Sequence, residues 1–151
     1  MAEYIQSPGT AQNVPFGQNL LLIDSIPCPR GYVVHRNGSG ILTLRGITQN
    51  CFARYRVTFN GNIAVPTGGT VAAIAVALAL DGEALQNSRA IVTPAAVEQY
   101  FNVTCAADIT VPKGCCYTLA VENVNAGVGD AIVDEQTISI ADGNLVVSRI
   151  A

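Results

Sequence analysis

The sequence predicts an all-β protein, an antiparallel β-sandwich of the jelly-roll type with an extended N-terminal arm. Short apolar segments alternate with turns rich in Gly, Pro and Asn, and no segment shows the 3.6-residue apolar repeat of an amphipathic helix. One segment is apolar on both of its faces. The pattern corresponds to about nine or ten short strands, a number that a jelly roll accommodates.

Residues 70–80, Thr-Val-Ala-Ala-Ile-Ala-Val-Ala-Leu-Ala-Leu, are the most apolar of these segments. Alanine favours helices, but the β-branched residues in the run and the turns at residues 68–69 and 81–82 favour a strand. Side chains alternate between the faces of a strand, so large residues share one face and alanines the other. Neither face is polar, and both are predicted to be buried. We expect the large face to pack in the core and the small face to form a trimer interface through Ala73, Ala75, Ala77 and Ala79.

Residues 1–17 are predicted to form the arm, and residues 18–151 the jelly-roll domain. The arm combines Pro8, Gly9, Pro15 and Gly17 with several polar residues, and such a composition cannot bury enough apolar surface to hold itself in place. We therefore expect the arm to lie against a partner. Its apolar and aromatic side chains are the predicted docking residues: Tyr4, Ile5, Val14 and Phe16.

Several later segments show the alternation of a half-buried strand. In residues 51–59 the inward positions are apolar, and Arg54 and Arg56 face outward, where they can pair with carboxylates such as Asp108 or face a partner. Asn60-Gly61-Asn62 predicts a hairpin turn into residues 63–65. The chain is predicted to close with a long strand at residues 100–111, another from residue 115, and two separate strands at residues 137–140 and 145–150.

Composition restricts the class of partner. At 151 residues the chain is one domain's worth, and only 13% of its residues are charged, too few to cover the surface of a monomer. Copies of the chain itself are the simplest cover. A net charge of -3 argues against nucleic acid, and no apolar run is long enough for membrane insertion. The N-terminus lacks the features of a secretion signal, so synthesis in a reducing cytoplasm is expected.

The five cysteines are predicted to be buried, reduced thiols that act as small hydrophobic side chains. A vicinal disulfide between two of them, or metal ligation, is the alternative, but no Cys-x-x-Cys motif or nearby histidine supports a zinc site. The cysteines are Cys28, Cys51, Cys105, Cys115 and Cys116.

The residues indicate no enzyme, cofactor or metal site. His35 is the single histidine, and a solvated or hydrogen-bonded role is expected for it, because a catalytic base needs partners that the sequence does not display. Asp130, Asp134 and Glu135 match no calcium-loop spacing, so a solvated acidic loop is favoured over a calcium site.

Two stretches resemble a known family. Residues 60–66, Asn-Gly-Asn-Ile-Ala-Val-Pro, lead through Gly68-Gly69 into an alanine-rich strand that ends Ala-Leu-Asp-Gly-Glu at residue 83. Together with residues 101–104, 109–114 and 117–123, this is similar to the tumour-necrosis-factor and C1q-like jelly rolls of bacterial and phage surface proteins. The resemblance implies a tight trimer. Since no Gly-X-Y repeat precedes the domain, a filament stalk is not expected.

The predicted function is therefore that of a non-enzymatic, homotrimeric structural module on a virion surface. The resemblance favours a phage capsid decoration or fibre-head protein that docks on a capsid or other virion protein through its arm. The alternative is a receptor- or glycan-binding head domain of a bacterial or spore surface protein, with a host-surface glycan as its partner.

Overall fold

The structure, a computed structural model, describes residues 2–6, 11–26, 31–128 and 135–151. Within these ranges it contains twelve strands and a short 3-10 turn at Gln86–Ser88. In chain order the strands are β1 (Ala2–Ile5), β2 (Gln12–Val14), β3 (Asp24–Ile26), β4 (Val33–His35), β5 (Leu42–Arg45), β6 (Phe52–Ala64), β7 (Ile74–Leu80), β8 (Glu83–Ala84), β9 (Ala90–Val92), β10 (Phe101–Pro112), β11 (Cys116–Val124) and β12 (Ile138–Arg149).

The strands form two antiparallel sheets that pack face to face. The first sheet has the order β10-β6-β12-β1-β3, and β2 also pairs with β12. The second has the order β4-β5-β11-β7-β8, and β9 also pairs with β7. Strands that are distant in the sequence are thus neighbours in each sheet, as in a jelly roll, and the predicted all-β sandwich is confirmed.

The core lies between the sheets and is built from one face of each long strand. Along β6 the positions alternate between buried and exposed, as the sequence predicts. The largest side chains that are almost completely buried come from both sheets and from the segment before β3: Tyr4, Leu20, Leu22, Leu42, Leu44, Tyr55, Phe59, Ile63, Leu78, Leu119, Ile138 and Ile140.

β7 confirms a strand over the greater part of residues 70–80. Its large side chains, Ile74, Val76 and Leu78, pack in the main core. The strand pairs with β11 on one side and with β8 and β9 on the other. An alanine-rich sequence remains extended here because both ladders supply partners for its backbone N–H and C=O groups.

The separate N-terminal arm is a wrong prediction where the structure describes it. β1 pairs with both β12 and β3, and β2 pairs with β12, so residues 2–5 and 12–14 are strands of the first sheet. The polar composition of the segment predicted disorder, but backbone hydrogen bonds to β12 hold it in place. Residues 1 and 7–10 lie outside the described ranges.

Two further strand boundaries differ from the prediction. Asn60-Gly61-Asn62 forms no hairpin, because β6 continues straight through it and pairs with β10. Gly61 is required there for space, since a Cβ atom would lie 2.8 Å from the ring of Phe59. The two predicted final strands are a single strand, β12, whose register shifts at a bulge between Ala141 and Asn144.

Candidate functional site

The small face of β7 is covered within a single chain. Arg89 precedes β9 on one side of β7, and its Nη1 donates to the carbonyl oxygens of Asn125 (3.0 Å) and Gly127 (2.8 Å), which follow β11 on the other side. The Arg89 side chain therefore crosses β7, and it crosses the small face because the other face packs in the core. Three side chains of the small face expose 1% of their surface or less: Ala75, Ala77 and Ala79.

This cover corrects the reason for expecting a subunit at that face. The alanines were expected to need a neighbouring chain, but Ala75 and Ala77 are already buried within one chain, where they pack in a small cluster with Val124 and Ala126. A trimer interface at the predicted positions stays a prediction, and among them Ala73 retains partial exposure.

The predicted docking residues of the arm divide into two groups. Tyr4 and Val14 are core residues with 1% and 3% exposure, which contradicts a role in docking on a partner. The ring of Tyr4 packs edge-on against His35, with 4.9 Å between the centroids. Ile5 and Phe16 are half-buried. His35 Nε2 lies 2.9 Å from the carbonyl oxygen of Ser39, in keeping with the hydrogen-bonded role expected for this histidine.

The cysteines are mostly exposed, contrary to the prediction. Cys51, Cys115 and Cys116 are exposed free thiols, and Cys28 lies outside the described residues. Cys105 is buried in the core, and this burial raises the pKa of its thiol to about 11. The exposed thiols lie at strand ends, where the inward alternation of the strands no longer holds.

No group of three or more His, Cys, Asp or Glu side chains in the described ranges is placed to hold a metal ion. Asp130 and Asp134 of the predicted acidic loop lie outside those ranges, and Glu135 is exposed. Among the same residues, no helix has the length and apolar character needed to cross a membrane.

The outer face of the first sheet is polar, and its charged side chains are of both signs. Arg56 Nε and Nη2 donate to Asp108 Oδ1 (3.0 Å) and Oδ2 (3.2 Å), which confirms the predicted pairing of an outward arginine with this carboxylate. Both side chains are exposed, so the pair contributes little to stability. Its main effect on the face is to neutralise two charges.

Side-chain amides continue this outer face. Asn102 Nδ2 donates to Asn60 Oδ1 (2.8 Å) and Asn62 Oδ1 (3.2 Å) across β10 and β6. On β12, Asn144 Nδ2 donates to Glu3 Oε1 at 2.7 Å. The amides bond to one another and to a carboxylate, and these bonds order the face, on which Arg54 is also exposed.

A pocket of about 410 Å³ opens at the end of the sandwich where β5 and β12 end and β6 begins. The segment of residues 46–51 connects the two sheets here and forms one wall. The pocket is lined by Tyr32, Ile47, Thr48, Gln49, Asn50, Arg149 and Ala151. Its volume falls within the range of small-ligand sites in proteins.

Arg149 is the most constrained side chain of this pocket. Its Nε donates to the main-chain oxygen of Ala151 and its Nη2 to that of Ile47, both at 2.7 Å. The guanidinium carbon lies 4.6 Å from the ring centre of Tyr32 and 5.6 Å from that of Tyr55. Arg149 is thus a fixed, planar wall held by two tyrosines and two main-chain oxygens.

Tyr55 holds the end of the sandwich that carries the pocket from inside the core. It is fully buried, and its hydroxyl lies 3.1 Å from the carbonyl oxygen of Tyr32 and 2.5 Å from that of Arg45. Burial raises the pKa of Tyr55, and the neighbouring Arg149 partly opposes the shift. The ring therefore stays neutral and hydrogen-bonded near neutral pH.

The sequence predictions did not include this pocket. An available signal was the alternation of β12, in which Leu145, Val147 and Arg149 share the inward face, so that an arginine follows two core positions. A charged residue at an inward strand end indicates a structured polar site. Residues 46–51 reach the pocket only through the fold, and no local sequence pattern indicates that they do so.

No protein-family model and no curated protein matches the sequence. Among solved structures, the globular domain of zebrafish complement 1qA protein superposes with a TM-score of 0.54 at 10% identity, over 95% of this chain and 92% of that one. The fold is C1q-like.

Two other solved structures are similar at lower scores. The C-terminal domain of EclA, described as a sugar-binding protein, has 20% identity and a TM-score of 0.39, over 98% of this chain and 77% of that one. The CBM22-1 xylan-binding domain of Xyn10C from Paenibacillus barcinonensis has 10% identity and a TM-score of 0.36, over 100% of this chain and 95% of that one. The similarity to the zebrafish C1q domain confirms the jelly-roll fold that the sequence resemblance implied.

Proposed function

We propose that the chain is a non-enzymatic structural module that assembles as a homotrimer on the surface of a particle. The particle is most simply a phage virion, on which the trimer serves as a capsid decoration or fibre-head protein. The observation that carries the assembly is the outer face of the first sheet. On this face the charges of Arg56 and Asp108 cancel, and Arg54 and Arg56 supply arginine, a residue type that is enriched at interfaces.

Apolar and small side chains support the same use of this face. Ala106 is exposed on this face midway along the edge strand β10, Val146 is half-buried on β12, and Phe52 exposes 46% of its surface at the start of β6. The low charge of the whole chain, 13% of its residues, supports assembly in the same way. Tyr4 and Val14 of the predicted docking arm are core residues and cannot contact a particle. Attachment to the particle is therefore assigned to an exposed surface of the sandwich.

Light scattering after size-exclusion chromatography tests the assembly. A mass of about three times 15.7 kDa is expected, and a monodisperse monomer of 15.7 kDa would overturn the proposal. Ala106→Arg places an additional charge on the outer face of β10 and is expected to dissociate the trimer. Ala96→Arg, in the exposed loop before β10, is the matched control and should leave the mass unchanged.

Mass spectrometry of purified particles tests the display. The chain is expected to copurify with virions at a stoichiometry that is a multiple of three per attachment site. Its absence from washed particles would exclude the virion role.

The second proposed function, a glycan-binding head domain, is favoured by the pocket between Tyr32, Arg149 and residues 46–51. It differs from the first in requiring a ligand. Binding of glycans by the intact trimer, without a role in particle assembly, would distinguish it.

A further inference from the structure

We propose that the pocket formed by Tyr32, Gln49, Asn50 and Arg149 binds an uncharged sugar unit of a glycan. The proposal rests on the second proposed function and is independent of the virion assignment. It names the residues and the chemical class of the ligand.

The pocket offers hydrogen-bonding groups that its own chain does not use. The side-chain amides of Gln49 and Asn50 are exposed and make no hydrogen bond with other residues in the described ranges. Each amide presents an N–H donor group and a carbonyl acceptor. The backbone N–H of Asn50 is bonded to Thr48 Oγ1 at 3.1 Å, which fixes the turn that carries both amides. Adjacent donors and acceptors of this kind complement vicinal hydroxyl groups.

The opposite wall is planar and rigid. The Arg149 guanidinium is held by two carbonyl oxygens and packs on the ring of Tyr32, so neither group needs to be ordered when a ligand binds. Pre-ordered walls reduce the entropy cost of binding. A flat wall facing flexible amides fits a pyranose ring, which has an apolar C–H face and a polar rim.

The charges of the pocket favour a neutral ligand over an anion. Arg149 is the single lysine or arginine that lines it, and its Nε and Nη2 donors are already bonded to main-chain oxygens. Its Nη1 is buried without a hydrogen-bond partner in the described part of the chain, where a ligand has no access to it. A phosphate or carboxylate would need free cationic donors converging on it. Ile47, 42% exposed, is the one large aliphatic lining residue, too little for an apolar ligand.

A glycan array of neutral and acidic oligosaccharides, followed by calorimetric titration of the strongest neutral member, tests the site with the intact chain. The double variant Gln49→Ala/Asn50→Ala is expected to weaken binding about tenfold or more, because two side chains that bond the ligand are removed. The matched control is Gln86→Ala/Asn87→Ala, an exposed Gln-Asn pair elsewhere in the chain, which should bind like the parent.

Tyr32→Phe and Tyr32→Ala separate stacking from hydrogen bonding at the ring. The phenylalanine variant is expected to keep at least the affinity that a stacked ring supplies, and the alanine variant to lose it. Circular dichroism identifies an alanine variant that fails to fold, and the Gln49/Asn50 variant then decides alone.

Three results would overturn the site: no binding to any array member, binding confined to acidic glycans, or equal loss of affinity in both Gln-Asn double variants. Light scattering of the same samples reports the trimer separately. A trimer without glycan binding would refute this site and leave the assembly proposal standing, whereas a glycan-binding monomer would do the opposite.

Discussion

Gln6 and Gly143 exchange two hydrogen bonds across the first sheet. The backbone N–H of Gln6 donates to the carbonyl oxygen of Gly143 at 3.0 Å, and the backbone N–H of Gly143 donates to Gln6 Oε1, also at 3.0 Å. Gln6 Nε2 completes the contact with a bond of 2.7 Å to the carbonyl oxygen of Ile140. A buried side chain at the N-terminus thus satisfies the backbone of the bulge in β12.

Replacing this side chain should destabilise the fold. Gln6→Ala leaves the N–H of Gly143 and the carbonyl of Ile140 buried and without their bonds to Gln6, which typically costs about 1–3 kcal/mol. The free energy of unfolding in urea measures it, with exposed Gln18→Ala as the control. A loss no larger than that of the control would contradict a structural role for the Gln6 amide.

Removing the first seventeen residues should unfold the sandwich rather than release a docking arm. The truncation deletes β1, β2 and the core side chains of Tyr4 and Val14. It also exposes the edge of β12, a template for aggregation. We expect an insoluble or partly unfolded product by circular dichroism. A truncated chain with the unfolding midpoint of the full chain would show that these strands are dispensable.

Thiol reactivity should separate the cysteines. Cys51, Cys115 and Cys116 are exposed and are expected to react with an aromatic disulfide reagent in the native protein. Cys105 should remain unmodified until the chain unfolds, because it is buried and its pKa is raised to about 11. Peptide mapping after timed labelling identifies each site. Rapid native labelling of Cys105 would indicate an open core, and Cys105→Ala is the control for the slow phase.

The ion pair between Arg56 and Asp108 should be visible in a pH titration. The hydrogen bonds and charge of Arg56 lower the pKa of Asp108, and Arg54 contributes a smaller electrostatic effect. Because the pKa of Asp108 is lower in the folded than in the unfolded chain, its ionised form stabilises the fold at any pH above its unfolded-state pKa. This stabilisation is lost as the pH falls through its folded-state pKa. NMR should show the pKa of Asp108 rising in Arg56→Gln and much less in Arg54→Gln. Equal shifts would refute the specific pairing.

The sequence predicted the features that depend on the alternation of side chains along a strand. Along β6 and β10 the period of two identified the inward and outward residues, and it placed Arg56 and Asp108 where they could pair. The strand at residues 70–80 was predictable from its β-branched residues and from the turns on either side of it. Contacts between distant segments were not: nothing near Gln6 indicates a bulge in β12, and nothing near the alanines indicates Arg89. The arm and the subunit at the small face were inferred from segments considered without these partners.

The pairing of β1 with β12 has a consequence for biosynthesis. β1 pairs with β12, which is synthesised more than a hundred residues later, and β6 likewise pairs with β10 and β12. Contacts of such large sequence separation slow folding. The nascent chain therefore remains without a complete first sheet until β12 has been synthesised, and chaperones have access to it during that interval.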